Sequence, residues 1–350
     1  MGRRLRRSKC DGPGIARRKR GAGFAYYYPD GRRVSEVDVL ARVKSLVLPP
    51  AWTDVWICPW PNGHVQALGT DAAGRRQYRY HDDWRLVRDA EKHERVLRMA
   101  KVLPALRTKV ADDLEGTELD RRRVLAAAVR LLDLGFFRVG GESYAEAHNT
   151  YGLATLRKEH VVVRRRSLMF EYDAKGGKHR VLTVIDPDVY DVVAALKRRR
   201  GAGSELLAYK DAGRWHDVTS GDINAHLQEM SGVDMTAKDF RTWHATVLMA
   251  VALAVSTHAI NVSSAAQTRA IARAYREVSG YLGNTPAICR RSYVDPHVVE
   301  LFEQGVTISR ELDRLGSAPS SGLATHGAVE TAVVRMLSKS RPDSSVRATA

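Results

Sequence analysis

Polar and apolar residues alternate along the first quarter of the chain, with the period of two that is typical of a strand with one buried face. A tyrosine-rich run follows Gly21, and the turn composition Thr70-Asp-Ala-Ala-Gly74 separates two further strands that form a hairpin. The predicted elements are strands within 21–34, 55–58, 64–69 and 75–80, and a short helix at 35–47. They predict a small β-rich domain over residues 21–90.

After a charged stretch at 81–92, apolar positions recur every three or four residues, which is the period of amphipathic helices. Helices are predicted at 92–110, 119–134, 192–200, 221–231, 236–255 and 264–278, and short ones open at Pro286 and Pro296. Strands at 155–163, 167–172 and 180–184 suit a small antiparallel sheet. The sequence therefore predicts an α+β protein, whose larger domain, residues 91–312, is mostly helical with a three-stranded antiparallel sheet.

The two ends of the chain differ from these domains in composition. Residues 1–20 hold nine Lys or Arg and one acid, together with Gly and Pro, and are predicted to form a basic flexible arm. Residues 313–350 are rich in Ser, Gly and Pro and are predicted to form a tail. Within this tail, Ala328–Leu337 is the one possible short helix.

Charge narrows the class of partner. The net charge of +16 over 350 residues favours an extended polyanion such as nucleic acid as the binding partner.

The three cysteines, Cys10, Cys58 and Cys289, form neither a zinc spacing nor a disulfide framework, which indicates a reducing cytoplasm. The basic first residues are unlike a signal peptide, and the longest apolar run, 245–255, is too short to span a membrane.

Candidate chemistry lies in the segment 280–293. Thr285 is a helix N-cap and Pro286 suits the first helical position, so a short helix begins there. Tyr293 follows two turns later, after Arg290 and Arg291. A phenol beside guanidiniums, near a helix N-terminus that favours anions, indicates a phosphate site.

The run Leu-Gly-Asn-Thr-Pro-x-x-x-Arg-x-x-Tyr (282–293) resembles the active-site segment of type IB DNA topoisomerases, in the poxvirus-type and bacterial branch. Three further motifs of that family occur in the same order. They are Phe-Arg138-Val-Gly, Lys175 between two strands, and Lys238-Asp-Phe-Arg241-Thr. The resemblance runs from about residue 49 to about residue 305, and it implies the catalytic fold that this family shares with tyrosine recombinases.

The resemblance implies Tyr293 as the nucleophile and Arg138, Lys175 and Arg241 as catalytic cations. Guanidiniums bind two phosphate oxygens and stay charged, while a lysine close to them gives up its proton more readily. Lys175 is accordingly the general acid, and the implied intermediate is a 3′-phosphotyrosyl enzyme. The poxvirus and cellular enzymes have histidine where this chain has Asn284, which donates a hydrogen bond but carries no charge.

The resemblance also places the strand Arg-Arg-Gln-Tyr (75–78) in the DNA major groove, where glutamine can pair with an adenine edge. In the poxvirus enzymes a helix after the first catalytic arginine brings two lysines and a tyrosine to the bases. Here those positions hold Gly141, Ser143 and Tyr144, so both lysines are missing. The resemblance therefore implies that this chain has only a weak preference for particular cleavage sequences. The predicted DNA contacts are Arg75, Arg76, Gln77, Tyr78, Tyr144, Lys238, Arg290 and Arg291.

Two other functions share some of these features. A tyrosine recombinase has the same Arg/Lys/Arg/Tyr set, but it usually carries histidine where this chain has Lys238 and a helical front domain. A non-catalytic DNA-binding protein explains the charge, but not Tyr293 together with Lys175. No ATP-binding loop and no acidic metal cluster stand out in the sequence, so no cofactor is expected. The expected partner is duplex DNA, clamped by a monomer, with no membrane association.

Overall fold

The computed structural model describes residues 4–142, 145, 149–201, 203–256, 263–316 and 325–340. Contacts divide the chain into two units, Met1–Lys92 and His93–Ala350. None of the helices described in the structure combines the length and apolar character needed to cross a bilayer.

The first unit is built on one antiparallel sheet with the spatial order β2-β1-β3-β4-β5. Its elements are β1 (Ile15–Arg20), β2 (Gly23–Tyr27), α1 (Val37–Ser45), β3 (Thr53–Ile57), β4 (Val65–Thr70) and β5 (Arg76–Tyr80). Ile15, Val43 and Ile57 are among the residues of its small core. The predicted hairpin is confirmed, because β4 pairs with β5.

The prediction that residues 1–20 form a flexible arm is wrong for the described part of that segment. Ile15 is 2% exposed and lies in the core of the sheet, and the Ser8 hydroxyl donates to the Val65 carbonyl at 2.9 Å. The high charge hides this strand in the sequence. Its arginines are accommodated by aromatic neighbours, as shown by the Arg17 guanidinium carbon 4.2 Å from the Phe24 ring centroid.

The second unit is mostly helical, as predicted. The helices are α2 (Asp82–Leu114), which begins ahead of the unit boundary, α3 (Arg121–Gly135), α4 (Pro187–Arg198), α5 (Ser220–Ser231), α6 (Ala237–Ala254), α7 (Ser264–Leu282), α8 (Pro286–Ser292), α9 (Pro296–Glu303), α10 (Ser309–Gly316) and α11 (Gly327–Ser340). The predicted cap at Thr285 is confirmed, and Asp295 caps the helix that was predicted to open at Pro296; each side chain accepts a first-turn N–H. The cap of α7 is Ser263, directly before the predicted start of that helix at residue 264.

The predicted three-stranded antiparallel sheet is also confirmed. It consists of β6 (Val161–Arg164), β7 (Ser167–Ala174) and β8 (Lys178–Val184), in that spatial order. The predicted first strand was too long, because two short 3₁₀ turns occupy 153–155 and 158–160. A separate hairpin, β9 (Ala208–Asp211) and β10 (Arg214–Asp217), follows α4.

Helix α6 runs through the core of the second unit, and 14 of its 18 residues are buried. The short helix predicted at 328–337 within the tail is confirmed as α11, which is longer than predicted at both ends and buries Val333 and Leu337 in this core. The tail was predicted from its Ser, Gly and Pro content, which says nothing of apolar residues that pack only against distant helices. Residues 341–350 of the predicted tail lie outside the described residues.

Candidate active site

Arg138 is positioned by the turn that follows α3. Phe136 ends that helix in left-handed backbone, with φ of 55°. The Arg138 carbonyl then accepts the Leu153 N–H at 2.7 Å. Glycine is required at position 152, next to this turn, since a Cβ on Gly152 would lie 2.4 Å from the Gly140 nitrogen. This close pairing of two chain segments fixes the backbone that carries the guanidinium.

Arg241 is held inside the unit by backbone carbonyls. The residue is 2% exposed on α6. Its Nη1 donates to the Phe136 carbonyl, and its Nη2 donates to the Leu282 carbonyl at 2.8 Å. Burial, reinforced by the charge of Arg138, lowers the pKa of Arg241 to about 10, so the guanidinium remains a cation at neutral pH.

Asn284 stands directly after the end of α7. Gly283 ends the helix with φ of 62°, a conformation that glycine adopts without strain. The Asn284 Oδ1 accepts a hydrogen bond from Arg138 Nη2 at 2.6 Å. Its Nδ2 is buried and has no acceptor among the described residues. The amide nitrogen therefore has N–H donors to offer to an oxygen brought in by a ligand.

Tyr293 ends α8, with its ring centroid 5.2 Å from the Arg241 guanidinium carbon. Burial alone would raise the pKa of Tyr293. The charge of Arg241 and a hydrogen bond with it, together with the charges of Arg138 and Lys238, outweigh this effect and lower the pKa below the ordinary phenol value. The phenolate is thus favoured beside the cations.

Four cations and the phenol border one cleft of about 460 Å³. The predicted catalytic residues that line it are Arg138, Lys175, Arg241 and Tyr293, and the predicted DNA contact Lys238 lies beside them. Lys175 occupies the exposed turn between β7 and β8, where Gly176 and Gly177 have positive φ. The structure brings together residues that are up to 155 positions apart in the sequence, and the result is a cationic pocket around one nucleophile.

Other predicted DNA contacts lie away from this cleft. Arg290 and Arg291 are exposed on α8, and the Arg290 guanidinium carbon is 5.8 Å from the Tyr275 ring. Tyr144 lies outside the described residues, together with Ser143.

The predicted base-reading strand, β5, is in the first unit. Arg76 and Tyr78 are exposed there. Asp71, in the turn before β5, joins two of the predicted contacts: its Oδ2 accepts from Gln77 Nε2 at 2.9 Å and pairs with Arg75 at 2.8 Å. These hydrogen bonds lower the pKa of Asp71 to about 2.

Arg180 is a site residue that the sequence did not reveal. It lies on β8, paired in register with Tyr172. Its Nη2 donates to the Tyr281 carbonyl at 2.9 Å, and a Cβ on Gly283 would lie 2.7 Å from its Nη1. Arg180 therefore ties the sheet that carries the Lys175 turn to the segment before Asn284. The strand alternation that places it beside Tyr172 is the only sequence signal.

Thr150 is a second residue that the sequence analysis missed. It borders the cleft, and its Oγ1 is buried with no hydrogen-bond partner in the part of the chain that the structure describes.

Comparison with known proteins identifies relatives of both units. Residues 81–315 match the family model for the catalytic core of eukaryotic DNA topoisomerase I, and residues 23–71 match the N-terminal domain of bacterial DNA topoisomerase IB. The chain is 30% identical to DNA topoisomerase 1B of Acanthamoeba polyphaga mimivirus over 296 residues, 83% of this chain and 88% of the viral protein. It is 20% identical to DNA topoisomerase 1B of vaccinia virus (strain Copenhagen) over 294 residues, 80% of this chain and 90% of that protein.

Proposed function

The chain belongs to the type IB DNA topoisomerases, and from this premise we propose that it relaxes supercoiled duplex DNA by cutting and resealing one strand. One observation carries the proposal: a phenol with a lowered pKa borders the same cleft as two arginines and two lysines. A phosphodiester is the ligand whose charge this set would balance.

In the proposed cleavage step, the Tyr293 oxygen attacks the phosphorus, and the bond from phosphorus to the 5′-oxygen breaks. The phenolic proton leaves to solvent. Arg138 and Arg241 hold the non-bridging oxygens, on which negative charge accumulates in the transition state. The Asn284 Nδ2 donor is available to the same oxygens. The product is a 3′-phosphotyrosyl enzyme.

Lys175 is proposed to donate the proton that the departing 5′-oxygen needs. A lysine in a solvent-exposed turn can exchange its proton with water between turnovers. Religation reverses the sequence: the 5′-hydroxyl attacks the phosphotyrosine, Lys175 takes up its proton, and Tyr293 leaves. The ester stores the energy of the broken bond, so the proposed cycle consumes neither ATP nor a metal ion. It requires only one copy of the chain around duplex DNA.

Cys289 is another potential nucleophile on the same short helix. Burial raises the pKa of the Cys289 thiol to about 11, so it stays protonated at neutral pH. The lowered pKa of Tyr293 therefore favours the phenol as the attacking group.

The test uses supercoiled plasmid in EDTA without ATP. The wild-type chain is expected to yield a ladder of topoisomers, and Tyr293→Phe to yield none while binding duplex with nearly unchanged affinity, because only the attacking oxygen is lost. A covalent protein–DNA adduct should appear in denaturing gels of the wild type alone. Strand exchange between specific sites would indicate a recombinase instead, and gel retardation without relaxation would indicate a binding protein.

A further inference from the structure

A buried ionic cluster joins residues of α2, α3, α6 and α11, none of which is among the residues that line the cleft. The Arg107 guanidinium, on α2, donates to both carboxylate oxygens of Asp133 at 2.7 and 3.0 Å. It also donates to both oxygens of Glu330, on α11, at 2.5 and 3.1 Å. The Trp243 indole N–H donates to Glu330 Oε1 at 2.7 Å. Asp133 and Glu330 are 4% and 3% exposed, so their charges depend on these partners inside the protein.

Two histidines complete the cluster around Asp133. His244 Nε2 lies 3.4 Å and His326 Nε2 lies 3.1 Å from Asp133 Oδ1. Three metal-ligand atoms thus come within 4.8 Å of one another. The Arg107 guanidinium already neutralises the same carboxylate and would repel a cation. The cluster is therefore an ion-pair network that joins α2, α3, α6 and α11.

This network supports the carbonyl that holds the catalytic arginine. Asp133 lies three residues before Phe136, and His244 lies one helical turn after Arg241. The Phe136 ring meets the His244 ring edge-on at 5.2 Å. Phe136 has left-handed backbone, which a non-glycine residue adopts only when its surroundings hold it there. Its carbonyl accepts Arg241 Nη1.

We propose that α11 and His326, the residue before it, position the active site: Glu330 and His326 fix the Asp133–His244 pair, and this pair holds Phe136 so that its carbonyl keeps Arg241 against Tyr293. The inference rests on the proposed function. It concerns a segment beyond residues 81–315, the part that matches the topoisomerase I catalytic core. Glu330 and His326 touch no reacting group and act through Arg241 as positioning residues.

The test measures the ionisation of Tyr293 directly, without DNA. Tyrosine labelled with ¹³C at Cζ is titrated by NMR, and the Tyr293 signal is assigned from its loss in Tyr293→Phe. The charged groups that act on Tyr293 are Arg241, Arg138 and Lys238. Glu330→Ala should let Arg241 move away and so raise the Tyr293 pKa by about one unit. Arg335→Ala, an exposed change on the same helix, should leave it unchanged.

Single-turnover cleavage of a labelled duplex gives the second readout. Glu330→Ala should slow adduct formation roughly 10- to 100-fold, with duplex Kd changed by less than about threefold. Glu330→Gln keeps an acceptor for Trp243 and should recover part of the rate. If Glu330→Ala does not fold, His326→Gln, which leaves Glu330 in place, is measured instead and should shift both readouts in the same direction.

A folded Glu330→Ala protein with an unmoved Tyr293 pKa would overturn the proposal, whatever its rate. Equal losses of binding and cleavage with an unmoved pKa would show that α11 only stabilises the fold. The NMR titration remains decisive if the wild type forms no adduct, a result that would instead refute the proposed function.

Discussion

At the scale of single residues, the proposed chemistry depends on how a weak nucleophile, the Tyr293 phenol, would be activated. About one free phenol in a thousand is ionised at neutral pH. Burial would reduce that fraction further, yet the guanidinium of Arg241 reverses the effect and lowers the pKa of Tyr293. Arg241 can do so because carbonyl groups, which carry no opposing charge, hold it in place. Carboxylates in place of these carbonyls would have neutralised the positive charge that Arg241 exerts on Tyr293.

Lys175→Ala tests whether Lys175 is the general acid that protonates the departing 5′-oxygen. Cleavage of a normal duplex should slow by roughly 10²- to 10⁴-fold, because the departing alkoxide loses its proton donor. A substrate with a 5′-thiolate leaving group needs no proton, so the same variant should cut it at nearly the wild-type rate. The measurement is single-turnover adduct formation on both substrates. Equal slowing on the two would remove Lys175 from the general-acid role.

At the scale of elements, the β4–β5 hairpin shows how side chains that are predicted to read DNA are hydrogen-bonded when no DNA is bound. Arg75 and Gln77 both bond to Asp71, so two of the predicted contacts are engaged by an acid of the same hairpin. The pKa of Asp71 is about 2, which is below its ordinary value. The carboxylate is therefore charged throughout the pH range of any relaxation assay, and its contacts weaken only as pH falls through 3.8 towards 2.

Asp71→Asn should tighten duplex binding, on the order of threefold at low salt, because it removes a negative charge beside a basic strand and weakens the contact that Asp71 makes with Arg75. Fluorescence anisotropy at two salt concentrations gives the affinity, and mapping of covalent adducts on end-labelled duplex reports any change in site choice. Asp30→Asn, which removes an acid from another turn of the same unit, is the matched control. Equal effects of the two substitutions would assign the change to net charge, not to the hairpin.

At the scale of the whole molecule, the charge of +16 predicts binding that is driven by release of counterions from DNA. The basic residues 15–20 form a structured strand, since β1 belongs to the sheet of the first unit. Deleting them would remove an inner strand, and single substitutions are the appropriate probes of DNA contact.

Arg76→Gln should make the log–log slope of affinity against salt less negative by about 0.9, the value for one neutralised phosphate. Arg76 is exposed on the predicted groove-reading strand. Lys339→Gln, an equal charge change at the end of α11, should leave the slope unaltered. Titrations at several salt concentrations check both, and an unchanged slope for Arg76→Gln would show that this side chain contacts no phosphate.

The sequence by itself determined the features that depend on neighbouring residues. The caps at Thr285 and Asp295, the hairpin around residues 70–74 and the order of the motifs that resemble the family are local signals, and so is the glycine-flanked turn of Lys175. These features identify the residues of the candidate site but not how they are held.

Only the tertiary structure decided what holds those residues. Arg241 is positioned by carbonyls at Phe136 and Leu282, and Glu330 reaches Arg107 across 223 positions of sequence. The strand at 15–20 was hidden for the same reason, because Ile15 gains its burial from strands that lie distant in the chain. Such contacts arise from packing between separate elements, and no periodicity or cap signal in one segment records which distant segment will complete it.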